Sequence, residues 1–486
     1  MSGKLRIING CIFFAWIALI SLLLYRNYAG TPLEKTQALK EAVDKATYWY
    51  DIYHEQQKIG FASTTYEKVG DEIIIRDERE IKVIKDGQDN LLTTRLKCIS
   101  NSQYSIKSFE FTSHFKDEKG IRATGEVDAG NIFFLLESPE KRKTFTTPTK
   151  GKDLYLPATF IPAIIQKKPV PQSVFTVPVL DINSLLVSNT KIEMEELRPV
   201  KEGTNVVSLY KFRAGNSVWW SNERGVIIKE ENPTGLTLYA VPTQLAQDFT
   251  KKLFVDYTKL PFIQANRLLS NPEKLNQLRV KVTGFTLDQK LYKNSMATLE
   301  NNTLVIKKKE ASQVAEMSFQ LPYGGDSLRQ YLAPDTSVSS DYKPLQDTGV
   351  IYARSQKNDA FQFTHYMTSY VFNLIKTEPT FFIADAEHIL KSLRGDYAER
   401  AILFISYSRA GGLPTRLVGG FVYAHGYFYF HIWPEAWLGQ WVPADPTFYQ
   451  FPADVTHIPL RAGTMKDIIS LMADLKDVNI EIMEAL

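Results

Sequence analysis

Cysteine is almost missing from this chain of 486 residues: there are two, Cys11 and Cys98. Cys11 lies inside an apolar N-terminal run, so Cys98 stands alone in the rest of the chain. No intramolecular disulfide can form there, and a cysteine-based structural zinc site is excluded as well. Concentrated positive charge is also missing. The net charge is +3 with no polybasic cluster, which gives a nucleic acid nothing to bind. There is no internal repeat and no low-complexity tract.

What remains is ample material for two or three domains. The hydrophobic fraction of 44% and charged fraction of 23% are those of an ordinary globular chain, and the 12% of aromatic residues falls largely in strand-like runs.

An apolar run from Ile7 to Tyr25 is interrupted only by Asn9, Gly10 and Ser21 and is preceded by Lys4 and Arg6. At about 19 residues it is just long enough to span a bilayer as a helix. The competing reading is a cleaved signal peptide, for which the run is long and the cleavage-like sequence Asn27–Tyr28–Ala29 is poor. The expectation is a transmembrane anchor over residues 1–30. The preceding charge favours N-in, C-out, although Arg26 weakens the asymmetry. Residues 31–47 are polar and helix-prone and read as a stalk.

Residues 48–250 alternate apolar and polar side chains between turn signals and read as an antiparallel β-rich domain, either a sandwich or a partly closed barrel. A helix-like stretch, Thr159–Lys168, interrupts it. Trp219 and Trp220 are adjacent and must face opposite sides of a strand, one in the core and one on the rim. Residues 251–335 read as a bridging β segment. From 336 to 486 the period becomes helical and an α+β domain is expected: helices over 358–377, 383–395 and 398–412, strands over 413–423, 426–438 and 440–447, then a helix over 465–477 and a short tail.

The last region contains the pieces of a catalytic arrangement. A thiol at the first residue of a buried helix has its pKa lowered by free backbone N–H groups. A histidine on a facing strand can take its proton, and an aspartate on the next strand can orient that histidine. His431 and Asp445 suit the last two roles.

Gly395–Asp396, Gly412–Leu413–Pro414–Thr415–Arg416, Gly420–Phe421, His431 with Trp433 and Glu435, and Trp441 through Asp445–Pro446–Thr447 together resemble the bacterial transglutaminase-like superfamily, which has a papain-like Cys-His-Asp fold. Asp454–Val455–Thr456–His457–Ile458 also resembles members with an N-terminal β-rich region and a membrane anchor. The resemblance implies that His431 and Asp445 stand at the catalytic His and Asp positions. At the nucleophile position stands Tyr397. A phenol has a pKa near 10 and is a poor acyl-transfer nucleophile. Cys98 lies in the β-rich region, and Ser406 and Ser408 lie roughly 13–17 Å further along the helix.

The expectation is therefore a pseudoenzyme of the bacterial inner membrane with its bulk in the periplasm or exterior, binding or scaffolding a protein or peptide partner in the cell envelope. The alternative is a hydrolase or acyltransferase that uses His431 and Asp445 with water or a non-cysteine nucleophile. A third reading places the function in the β-rich region. Tyr397 is expected to donate its O–H to His431, Arg416 to be a structural ion-pair partner, Trp433, Trp437 and Trp441 to be core, and Glu399 and Arg400 to be solvated. No cofactor is expected. His365, His388, His425 and His457 show no metal-ligand spacing with carboxylates, so no metal site is expected either.

Overall fold

Strict alternation dictates the first half of the chain. In Leu96–Lys97–Cys98–Ile99–Ser100, Cys98 and Ser100 are buried while Lys97 is exposed, as the two-residue period of a strand requires. The computed structural model describes residues 45–486 except 56, 86, 87, 117, 150, 183, 243–245, 247–252, 379 and 380. The expected anchor and all but the last three residues of the expected stalk lie outside the described residues. Those three open the first strand. Among the described residues no helix is long and apolar enough to cross a membrane.

A meander runs through β1 (Lys45–His54), β2 (Gln57–Val69), β3 (Glu72–Lys85), β4 (Gln88–Asn101), β5 (Ile106–Phe115), β6 (Ile121–Asp128), β7 (Asn131–Glu137) and β8 (Arg142–Pro148). After α1 (Pro157–Ile165) a second meander runs through β9 (Val174–Asp181), β10 (Leu186–Glu202), β11 (Asn205–Ala214), β12 (Ser217–Ser221), β13 (Ile227–Glu231) and β14 (Leu236–Val241). The last strand pairs antiparallel with the first, Trp49 opposite Val241. All fourteen strands thus form one sheet whose edges are β8 and β9.

The sheet curves around the segment that joins its edges. Leu154 and Leu156 pack with Ile75, Cys98, Phe109 and Phe134 from one half. Phe160, Ile161 and Ile164 of α1 pack with Ile192, Phe212 and Trp219 from the other. One continuous sheet with both halves packed on the segment that joins its edges fits the partly closed barrel better than two separate sheets. Burial in this interior pushes the Cys98 thiol up to about 12, which leaves it inert.

Trp219 and Trp220 face opposite sides as expected, but both are buried, at 7% and 6% exposure. The rim position expected for one of them does not exist, because the outer face of this part of the sheet is covered too. Trp220 packs with Leu209, Val218 and Ile228, and Tyr257 from the next region closes over them. Beside it Tyr53 stacks on Phe382 and Tyr239 tilts against Phe381, so aromatic rings join the barrel to the C-terminal region.

That region begins with β15 (Leu253–Phe254) and β16 (Phe262–Gln264), followed by β17 (Gln277–Thr283), β18 (Ala297–Glu300), β19 (Thr303–Lys307) and α2 (Ala311–Ala315). It continues with α3 (Lys343–Ser355), α4 (Ala360–Leu374), β20 (Lys376–Thr377), β21 (Phe382–Ile383), α5 (Ala386–Ser392), β22 (Arg394–Gly395) and α6 (Tyr397–Ala410). It ends with β23 (Thr415–Ala424), β24 (Tyr427–Trp437), β25 (Trp441–Pro443), β26 (His457–Gly463), α7 (Met465–Asp474) and β27 (Asn479–Ala485). Every side chain of α6 from Ala398 to Ser408 is buried, the polar Glu399, Arg400, Ser406 and Ser408 included. It lies against β24 and β23 with α3, α4 and α5 packed on it.

Three expectations for this region need correction. The helix expected to end at Gly395 stops at Ser392, because Leu393 takes a left-handed conformation and Arg394–Gly395 pairs with Lys376–Thr377 instead. The tail is a strand: β27 pairs with β17 and completes a sheet ordered β18-β19-β17-β27. The bridging segment therefore shares its core with the C-terminal region, since Leu278, Val280 and Leu304 belong to the same cluster as Ile402 and Phe404 of α6.

Candidate functional site

The start of α6 is fixed by local polar chemistry. Asp396 precedes the helix, and its backbone N–H donates to Glu399 Oε2 at 2.9 Å, half of a capping box. A β-carbon on Gly395 would lie 2.4 Å from that of Glu399, so the approach of the chain requires glycine. Tyr397 is the first helical residue. Its ring meets the His431 ring edge-on, with centroids 5.1 Å apart at 60°. The expected hydrogen bond to His431 is not made. Burial pushes the phenol well above its usual value near 10.

His431 sits in the middle of β24, opposite Gly420 of β23. It is fully buried, at 0% exposure. Its Nε2 lies 2.7 Å from Asp445 Oδ2, so the expected pair exists. Asp445 is tied further: its Oδ1 accepts from the backbone N–H groups of Thr447 at 2.6 Å and Phe448 at 3.3 Å.

A third group was missed. His457 Nε2 lies 2.9 Å from the same Asp445 Oδ2, and its Nδ1 lies 3.2 Å from the Asp454 carbonyl oxygen and 3.4 Å from the Asp454 carboxylate. Burial alone would lower the pKa of His457, but its bonds to Asp445 and Asp454 reverse this and push it up to about 9. Burial, then the Lys201 ammonium, push His431 down to about 3 against the pull of Asp445. Burial would raise Asp445, yet the two imidazoles hold it well below the usual carboxylate range. One histidine is thus charged and the other neutral. On the neutral one the proton belongs on Nε2, facing Asp445, which leaves Nδ1 as a bare lone pair. That Nδ1 is buried and has no hydrogen-bond partner.

His431, Asp445 and His457 also place three potential metal-ligand atoms within 4.8 Å of one another. The ligands of a tetrahedral zinc ion are about 3.4 Å apart. Here each Nε2 approaches one shared oxygen at 2.7 and 2.9 Å, which are hydrogen-bond distances. The spacing fits shared protons better than an ion.

The β-rich unit completes the site. The end of β10 and the turn after it carry Lys201 and Gly203 to the start of α6. Gly203 N–H donates to Asp396 Oδ1 at 2.9 Å. Lys201 Nζ donates to the Gly203 carbonyl at 3.0 Å and lies 5.0 Å from the ring centres of both Tyr397 and Phe448. Burial lowers the Lys201 pKa, partly offset by Asp396 and Asp445. Gly203 has φ +56° and a β-carbon there would meet Thr377 at 3.1 Å, so both backbone and space favour glycine. No local signal in the sequence ties this turn to the site.

Glu399 and Arg400 are buried instead of solvated. The Arg400 guanidinium donates to the Phe372 carbonyl at 2.7 Å and the Ile375 carbonyl at 2.6 Å, closing the end of α4. Burial pushes Glu399 up to about 7. Arg416 donates to Glu435 at 2.7 Å as the expected ion pair. Trp433 and Trp441 are core and Trp437 is half-buried. Ser406 is spent on the Ile402 carbonyl at 2.9 Å.

Gly420 is the tightest point of this sheet. A β-carbon there would lie 2.0 Å from the Ile458 carbonyl oxygen and 3.0 Å from the Trp433 ring. Gly420→Ala must push β26 away and is expected to cost about 1–3 kcal/mol. An unchanged urea midpoint would contradict this.

Residues 351–446 match the transglutaminase-like superfamily. Tyr397, His431 and Asp445 lie inside that range and His457 lies beyond it. A comparison with curated proteins gives no match. Among solved structures, a β-barrel-like protein of a domain of unknown function from Brucella abortus is 14% identical over 40% of this chain and 94% of its own, with a TM-score of 0.32. A candidate cysteine protease from Cytophaga hutchinsonii is 16% identical over 45% of this chain and 78% of its own, with a TM-score of 0.26. The periplasmic domain of TgpA from Pseudomonas aeruginosa, solved with ethylmercury bound, is 12% identical over 61% of this chain and 97% of its own, with a TM-score of 0.23.

Proposed function

We propose that this chain is a catalytically inactive transglutaminase-like protein, anchored in a bacterial inner membrane by residues 7–25 and facing the periplasm or exterior. Its C-terminal domain serves to hold and scaffold protein segments within the cell envelope. The carrying observation is the pair Tyr397 and Lys201. Acyl transfer needs a nucleophile that gives its proton to His431 Nδ1 and then attacks a carbonyl. Tyr397 is a phenol held well above pKa 10, and it offers His431 a ring edge. The space over it is taken by Lys201 and Gly203 of the chain's own β-rich unit. The fold supports binding: its first ligand is the β10–β11 turn, gripped through Asp396, and an envelope protein or peptide is the partner the reading assigns to the assembled surface.

The bare Nδ1 of His431 favours one other reading, in which His431 activates a water for hydrolysis. That chemistry requires the β10–β11 turn to withdraw.

Two measurements test the proposal. The wild-type chain is expected to show no turnover of generic amide or ester substrates. Turnover abolished by His431→Ala would sink the inactive reading. Tyr397→Cys, in a chain where Cys11 is replaced by serine, is expected to restore a reactive thiol at the helix start. Iodoacetamide labelling at pH 7 is expected to slow at least about ten-fold when His431→Ala is added, since the imidazole no longer takes the proton. Cys98 contributes little background because it is buried.

A further inference from the structure

The β10–β11 turn leaves a small chamber beside Tyr397. A cavity of about 50 Å³ lies between Pro199–Lys201 of β10, the stretch from Val255 to Phe262, the start of α6, and Tyr429 to Ile432 of β24. Its walls are mostly apolar. Six polar side chains interrupt them, Lys201, Tyr257, Asp396, Tyr397, Glu399 and Tyr429, and of these Glu399 and Tyr429 are 3% and 4% exposed. Those two each have one buried oxygen with no hydrogen-bond partner, Oε1 of Glu399 and the hydroxyl of Tyr429. Buried polar atoms are rarely left without a partner, so two lining one cavity mark a place for a ligand. Pro199–Lys201 and Val255–Phe262 lie outside residues 351–446, so this chamber belongs to the junction between the two units and not to the transglutaminase-like domain alone.

The donor pattern selects the ligand. Glu399 Oε2 already accepts from the Asp396 N–H at 2.9 Å, so when the carboxyl is protonated its hydrogen sits on Oε1. Tyr429 is a phenol that burial pushes up to about 12, so it keeps its hydrogen. The chamber then presents two unpartnered O–H donors, with the Lys201 ammonium and the Asp396 carboxylate, which the Gly203 carbonyl and N–H already engage, at its edge. We propose that it is a binding site for an uncharged carbonyl group on a short apolar body, a ketone or ester, whose oxygen accepts from Glu399 and Tyr429. The chamber is about a third of the roughly 150 Å³ that accommodates benzene, which limits the enclosed part to a fragment such as acetone or the carbonyl end of a longer ester. This site does not depend on whether the neighbouring triad is active.

Protonation gives the test its signature. Burial is the first cause that pushes Glu399 up to about 7. The titratable groups around it are Asp396, Tyr397 and Arg400 on its own helix, Lys201 on β10, and Tyr257 and Tyr429 on the facing segments. Burial also raises Asp396 and lowers Lys201, so Glu399→Gln is the variant that assigns the pH dependence to Glu399. The full chain would be titrated with carbon-13 acetone, following the carbonyl by infrared and nuclear magnetic resonance. Saturable binding with a lowered carbonyl stretch is expected at pH 6, weakening at least about five-fold by pH 8. Tyr429→Phe is expected to weaken it at least about ten-fold. Glu399→Gln keeps the shape, keeps an acceptor for Asp396 and turns an N–H into the chamber; it is expected to bind acetone with no change between pH 6 and 8. Absence of saturable binding, binding unmoved by Tyr429→Phe, or wild-type affinity that is flat from pH 6 to 8 would each overturn the proposal.

Discussion

Asp445→Ala is expected to remove about 3–5 kcal/mol of stability, the usual cost of breaking a buried charge network by deleting one member. Four donors converge on this carboxylate: His431 Nε2, His457 Nε2, and the Thr447 and Phe448 amides. Alanine leaves the His457 charge buried with Asp454, two backbone N–H groups without this acceptor, and His431 without its partner. Against a typical total of about 5–15 kcal/mol, the variant is on the edge of unfolding at ambient temperature. Urea denaturation measures it directly, as a lowered midpoint with an unchanged slope. Asp445→Asn keeps the volume and one acceptor and is expected to lose less. A midpoint for the alanine variant within error of wild type would mean the network contributes nothing.

The second large effect is a stability profile with an acid and an alkaline limb about a maximum below pH 7, since Glu399, raised from 4.5 to about 7, also costs stability as pH rises through that window. His457 is raised from 6.5 to about 9 in the folded chain. A raised pKa contributes stability that is fully present below 6.5 and is lost as pH rises through 9, here about 3 kcal/mol. His431 moves the other way, down to about 3. Below pH 6.5 the unfolded chain takes up that proton and the folded chain refuses it, so stability falls as pH drops from 6.5 toward 3. Asp454, lowered to about 2 against the usual 3.8, adds to the acid limb: its contribution is present above 3.8 and is lost as pH falls through 2. His457→Gln is expected to flatten the alkaline limb between pH 6.5 and 9 while keeping the acid one. Thermal unfolding at half-unit pH steps shows both limbs. A wild-type profile without an alkaline limb would remove His457 from the account.

The parts of this site that were legible in the sequence are those encoded locally. Period-two and helical patterns placed β23, β24 and α6 within a few residues, and the His431–Asp445 pair followed from them. His457 was less visible because its partner Asp445 reaches it across a turn and not along a strand. A signal was present in Asp454 and His457 three residues apart, with Thr456 between them bonded back to Asp454 at 2.6 Å. Glu399 and Arg400 read as solvated because charge usually is; their burial follows from α6 being surrounded on every side. Lys201 had no local signal at all, since what gives it meaning is a turn of the β-rich unit that only folding delivers to α6. The same holds for Trp220, whose cover is a tyrosine from another region.

The pairing of β1 with β14 has a consequence for how the chain becomes folded. Trp49 waits for Val241, on the order of 200 residues later in synthesis. Until then the outer edge of the first strand has unpaired backbone groups, a template for another chain to join. Ring closure at such sequence separation is slow, because loop entropy is lost long before the contact repays it. Newly made chains therefore pass through a sticky open-sheet stage, and their yield is expected to depend on how crowded they are with one another during that interval.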